Sequence, residues 1–237
     1  MCKANLRIDW ATHAAAKYAC ENWHYSKSAP AGKLVKLGAW EQGKFIGVVI
    51  FGRGSNKHIA SPFGVDSELA VELVRVALTL HDTKVSRILA VALRFLKVQS
   101  PKLRVVVSFA DPNQGHHGGI YQAGNWVYSG VGTQDKRARP YRKHGRVFHW
   151  RTVAGELSKR GKPSTVEAAV SLGYEPLEQS PKHRYLMPLD DAMRAQIQPL
   201  SKPYPKRVKQ AMAGVQPEQR RGSTDPHAPS STTGGMP

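Results

Sequence analysis

The sequence predicts a mixed α/β (α+β) fold, a central sheet flanked by helices and followed by a basic tail. Three observations predict it. Apolar residues recur at helical spacing in some stretches, β-branched runs bounded by turn residues recur in others, and apolar periodicity stops near residue 200. The 237-residue chain is 41% hydrophobic and 22% charged, enough apolar material for a core, so wholesale disorder is excluded.

Residues 10–23 read as a helix whose small face is Ala14, Ala15, Ala16, Ala19 and Cys20. It ends before a loop that begins His24-Tyr25-Ser26 and is punctuated by Pro30 and Gly32. Residues 34–41 and 44–52 are strands joined at Gln42-Gly43, a hairpin signal. A loop containing Gly and Ser follows, over 53–64. Residues 69–80 (LAVELVRVALTL) suit a buried strand, and 85–98 carry helical spacing at Val85, Ile88, Leu89, Ala92, Phe95 and Leu96. Residues 103–109 (LRVVVSF) form a second buried strand, which makes a βαβ-like crossover. Asp111-Pro112-Asn113 reads as a turn, and 115–122 as a short helix ended near Gly124. Residues 125–130 and 147–152 are expected as late strands, 167–172 as a short helix and 185–188 as a last strand. Residues 1–200 therefore form one expected domain. Residues 201–237, rich in Pro, Ser, Thr and Gly, read as a basic disordered tail.

Thirty-five Lys and Arg against seventeen Asp and Glu give a net charge of +18. A field of that sign attracts polyanions, and nucleic acid is the commonest. A membrane partner is not expected: there is no basic amphipathic helix, no long apolar run and no secretory h-region. Two cysteines, Cys2 and Cys20, exclude a disulfide scaffold and a multi-cysteine zinc site and fit a reducing, intracellular compartment. The charge is concentrated at 136–151 (KRARPYRKHGRVFHWR), which holds Lys136, Arg137, Arg139, Arg142, Lys143, Arg146 and Arg151 and no acid. Guanidinium forks hold phosphates, and the interleaved Tyr141, Phe148 and Trp150 could stack on bases. The plainer alternative is a strand at Val147, Phe148 and Trp150 with solvated basic flanks.

The order of elements resembles the GCN5-related N-acetyltransferase fold. Tyr121-Gln122-Ala123-Gly124-Asn125-Trp126 stands where that fold often ends a helix with Tyr-x-x-x-Gly-Phe. The glycine-bearing acyl-CoA loop is replaced by Leu80–Arg87, which contains no glycine, although Thr83, Lys84 and the amides there could still hold an anion. A closer resemblance rests on Asn22-Trp23-His24-Tyr25-Ser26, on FADPNQGHHGGIYQAGNW at Phe109–Trp126 and on KHRYLMP at Lys182–Pro188. These segments look like the phage Mom DNA-modification family. The resemblance implies an enzyme that converts adenine in double-stranded phage DNA to N6-(carbamoylmethyl)adenine, in the bacterial host cytoplasm, protecting it from restriction enzymes. It also implies a small-molecule donor, with acetyl-CoA proposed, and a role for iron.

That chemistry makes demands. The N6 amine is a weak nucleophile inside a base pair, so the base must be extruded at a cost of a few kcal/mol. Trp126, Tyr121 and Tyr25 are candidates to line the receiving pocket, and Trp126 is counted with the DNA-contacting residues. Simple acetyl transfer would give an N6 amide, whereas the Mom product joins N6 to a CH2 carbon. A redox metal is one answer, and His24 with Asp111 are the first choices for iron ligands, with Tyr25, Tyr121, His116 and His117 as further candidates. Asp111 follows a buried strand, where open α/β sheets place ligands. Tyr121 is expected as an acid/base or base-pocket residue. Each has a plainer alternative: Asp111 as a turn cap, His24 as a loop histidine, His116-His117 as a helix start, Tyr121 as core. Two rival functions stay open, a conventional N-acetyltransferase for a protein or small amine and a non-catalytic nucleic-acid-binding protein.

Overall fold

A computed structural model of the chain describes residues 5–53, 59–132 and 139–206. Lys136 and Arg137 of the basic run, and most of the expected tail (207–237), lie outside the described residues.

The main sheet has seven strands. The first is β1 (Leu6–Trp10), and α1 (His13–Trp23) follows it. The expected hairpin is β2 (Leu34–Glu41) and β3 (Lys44–Gly52). Gln42 and Gly43 both have positive φ, 51° and 80°, the backbone a two-residue hairpin with right-handed twist demands. Next come β4 (Ala70–Leu78), α2 (Val85–Gln99), β5 (Val105–Ala110), the short α3 (Gly119–Gln122) and β6 (Val127–Val131). The strand order is β1, β2, β3, β4, β5, a strand from late in the chain, then β6. All pairings are antiparallel except β4 with β5.

An insertion between β6 and the late strand builds a smaller three-stranded sheet. It holds β7 (Tyr141–Lys143), β8 (Arg146–Phe148), α4 (Trp150–Lys159), α5 (Val166–Ser171) and β9 (Glu175–Pro176). The late strand β10 (His183–Pro188) and α6 (Asp191–Ile197) complete the domain.

Two apolar layers cover the two faces of the main sheet. On one, Ile88, Leu89, Ala92, Leu93 and Leu96 of α2 pack with Val71, Leu73, Val106 and Tyr185. On the other, Ala16, Ala19 and Cys20 of α1 pack on Val48, Ile50 and Ala77, the small-residue face expected for that helix. Met193 and Ile197 of α6 cover Val105, Val107 and Leu186 on that face.

Three expectations change. The helix expected over 115–122 is only α3, and Gly115–Gly118, with His116 and His117, form a turn and irregular chain before it. Residues 147–152 are not one strand: β8 stops at Phe148, and His149 caps α4, its Nδ1 accepting from the Arg151 amide at 3.2 Å. Trp150, Val153 and Leu157 then share a helix face, and Val153 and Leu157 are wholly buried. The domain also does not end at Leu200. Tyr204 donates from its hydroxyl to the Trp126 carbonyl at 2.7 Å, and Gln122 donates to the Pro205 carbonyl at 3.2 Å.

The feature that makes a site is a splay. β4 and β5 pair only from Ala70 with Val105 to Glu72 with Val107. Beyond that β4 carries an extra residue near Val74, because Phe51 faces Leu73 and Ile50 faces Arg75. The parallel strands therefore part toward their carboxyl ends. The Ser108 hydroxyl takes the Leu73 carbonyl at 3.0 Å, and Arg75 Nη1 donates to the Val74 carbonyl at 2.8 Å.

Candidate functional site

The opening between β4 and β5 is a cavity of about 350 Å³. Its walls are Leu73–Val76 of β4, Phe109 of β5, Trp23, His24 and Tyr25 after α1, and His116, Ile120 and Tyr121. It lies outside the carboxyl ends of a parallel pair, the usual place for ligands in an open sheet. Of the residues expected to form a site, His24, Tyr25, His116 and Tyr121 come together here. Asp111 and Trp126 do not line it.

Tyr25 stands at the mouth, 50% exposed. Its ring lies 4.2 Å from that of His24, tilted by 34°, and 5.5 Å from that of His116, nearly edge-on. His24 Nδ1 accepts from the Ser26 backbone amide at 3.1 Å and lies 2.8 Å from the Ser26 hydroxyl. An amide only donates, so neutral His24 carries its proton on Nε2. Burial first, then Arg75 and His116, push the His24 pKa down to about 4. His24 is thus a neutral donor at pH 7. Among the described residues, no hydrogen bond is made by the His116 ring, which leaves its nitrogens for a ligand. Tyr121 closes the floor, and burial pushes its pKa up to about 12. Its hydroxyl lies 2.8 Å from Ser108 Oγ, a hydrogen bond that opposes the rise, but burial outweighs it and the group is a phenol at pH 7.

Two charged groups went unnoticed in sequence. Arg75 lines the cavity, and its Nε is buried and has no hydrogen-bond partner among the described residues. Burial raises the Glu72 pKa, although Lys182 and Arg75 oppose the shift. A charge inside the apolar run at 69–80 was the available signal for both.

Asp111 takes the role of its plainer alternative. Its carboxylate accepts from the Asn113 amide and side chain, both at 3.0 Å, and pairs with Lys182 Nζ at 3.3 Å. Its carbonyl accepts from the His116 amide at 3.1 Å. It positions the turn that carries His116. Gly118 in that segment has φ of 85°, and a Cβ there would run into the Tyr185 ring. The Tyr185 hydroxyl donates to the His117 carbonyl at 2.6 Å, which ties the segment to β10.

The family model described as the Mom protein family matches residues 5–206. The chain belongs to the Mom protein family. Membership makes it a phage DNA-modification protein, with DNA as the modified substrate. No curated protein matches the chain. No helix among the described residues is long and apolar enough to cross a membrane.

Two of the donors expected for iron, His24 and Asp111, already have partners within the chain. The His24 Nδ1 lone pair is taken by Ser26, its Nε2 carries the proton, and the Asp111 carboxylate is held by Lys182 and Asn113. Among the described residues, no three His, Cys, Asp or Glu side chains converge to hold a metal ion.

The basic run divides in two. Arg139 pairs with Glu178 at 3.8 Å, Arg142 with Glu175 at 3.4 Å, and Lys143 with Glu156 at 3.6 Å while lying over the Tyr174 ring. Arg146 and Arg151 are exposed, and among the described residues no ion pair holds them. The aromatics of the run are drawn into a small core. Tyr141 is wholly buried, and Phe148 and Trp150 pack against the same small core. Trp126, at 1% exposure, belongs to the main core and has no face to offer a base.

Proposed function

We propose that this protein converts adenine in double-stranded DNA to N6-(carbamoylmethyl)adenine and thereby shields phage DNA from host restriction enzymes. The observation that carries the reading is the cavity at the splay, walled by two histidines and guarded by one exposed tyrosine. An adenine turned out of the duplex stacks on Tyr25, since base–aromatic stacking contributes about 1–3 kcal/mol and offsets much of the cost of extrusion. The Nε2 proton of His24 meets a ring nitrogen of the base. The new bond joins N6 to the donor's CH2 carbon, the donor's leaving group departs with its electron pair, and N6 gives up one proton. His116 accepts that proton, because among the described residues its ring nitrogens have no other partner. Tyr121, as a phenol, closes the floor and keeps water out. Arg146 and Arg151 hold phosphates beside the target.

Mass spectrometry of nucleosides from DNA of cells expressing the chain tests the reading. It predicts a deoxyadenosine heavier by one carbamoylmethyl group, lost in a His116→Ala variant. Unmodified DNA from a well-expressed, folded protein would leave a binding protein without catalysis.

A further inference from the structure

The approach to α2 carries an internal anion. Glu41, at the end of β2, is 7% exposed and reaches across to the loop after β4. Its Oε2 accepts from the Asp82 amide at 2.8 Å and its Oε1 from the Thr83 amide at 2.8 Å. The Thr83 hydroxyl also donates to Oε1. In a coenzyme A site of the acetyltransferase kind, amides on this approach hold the diphosphate. Here two of them and a hydroxyl are already spent on a carboxylate from the same chain. An anion drawn to the next amides, of Val85 and Ser86, would meet Lys84 but also the Glu41 carboxylate and, on the same short loop, the exposed Asp82. The absence of glycine between Leu80 and Arg87 also keeps the main chain from approaching a diphosphate closely. Expected acyl-CoA binding does not fit this loop.

We propose that Glu41 permanently fills the amide site before α2, so that the carbamoylmethyl donor is a small molecule without a diphosphate handle and not a coenzyme A thioester. The proposal rests on the DNA-modification reading above and deepens it by naming the donor class. The cavity is consistent in size: about 350 Å³ must admit the base as well as the reacting part of the donor. That leaves room for a compact molecule held within the walls, next to Arg75, the one guanidinium among the described lining residues.

The test uses the intact protein in two measurements. In the first, acetyl-CoA is titrated into the isotope-labelled chain while the amide resonances of Asp82 and Thr83 are followed. Both should stay where they are, because Glu41 holds them. Saturable shifts of both would overturn the proposal. In the second, extract of expressing cells is freed of small molecules by gel filtration and supplied with unmodified DNA. Adding back the low-mass fraction should restore modification, before and after treatment of that fraction with a nucleotide diphosphatase, and acetyl-CoA alone should not. Restoration by acetyl-CoA, or loss of the fraction's activity on diphosphatase treatment, would contradict the proposal. If cells expressing the chain contain no modified adenine at all, the underlying reading has failed instead, which is a separate result.

Discussion

Replacing Glu41 with Gln isolates the charge that closes the loop before α2. The side chains have the same shape, but Gln offers one acceptor oxygen where Glu offers two. If that oxygen keeps Thr83, the amide nitrogen faces the Asp82 N–H, donor against donor. One charge-assisted hydrogen bond is lost, worth about 1.5–3 kcal/mol, and a main-chain donor loses its partner. The variant should therefore be about 2–3 kcal/mol less stable at pH 7 in urea unfolding followed by tryptophan fluorescence. The pH dependence follows from the same bonds. The Asp82 amide, then the Thr83 hydroxyl, hold the Glu41 carboxyl below its ordinary 4.5. The stability it contributes is complete above 4.5 and declines as pH falls below that, since the unfolded state takes up the proton first. The gap between wild type and variant should thus be widest at neutral pH and close in acid. Equal stability at pH 7, or a gap that does not narrow in acid, would refute the account of Glu41.

Other outcomes follow from the same geometry. Proton NMR of the His24 ring should show it neutral down to about pH 4, and its contribution to stability should be complete above 6.5 and lost between 6.5 and about 4; a midpoint near 6.5 would mean that the ring is solvated. Tyr25→Ala should lower DNA modification about tenfold or more, by loss of stacking, with an unchanged unfolding midpoint, while Tyr25→Phe retains activity. Trp126→Ala should cost about 3–5 kcal/mol of stability, as for other large core deletions; a stable variant defective only in DNA binding would restore Trp126 to the interface. Replacing Arg146 and Arg151 with Ala should lower the salt dependence of DNA binding by about one phosphate contact each, a slope change near 0.9. Arg142→Ala should change that slope less, because Glu175 already holds the guanidinium.

Local signals were legible in the sequence, and contacts that depend on distant residues were not. The β2–β3 hairpin was readable because Gln42-Gly43 supplies the turn chemistry between two β-rich runs. The strand–helix–strand order was visible, but its parallel pairing is decided by Ala70–Glu72 meeting Val105–Val107. The splay beyond Glu72 has no sequence mark apart from the bulge near Val74, which needs β3 to define it. α4 was missed because Val147, Phe148 and Trp150 look like a strand until His149 is seen as a cap. The basic run was read as one interface because acids that neutralise parts of it, Glu156, Glu175 and Glu178, come later in the chain. Within the site, His24, Tyr25, His116 and Tyr121 were named from sequence. Roles were named as well, as iron ligands and as an acid/base, but which ring nitrogen of His24 Ser26 occupies and how deeply Tyr121 is buried were not legible. Glu41 was invisible because its partners lie 41 and 42 residues away.

The most direct test of the central claim is a structure of the protein bound to duplex DNA. One adenine should be out of the stack, with its ring on Tyr25 and its N6 edge between His24 and His116. DNA bound across another face, with every base stacked and the cavity between β4 and β5 empty, would contradict it.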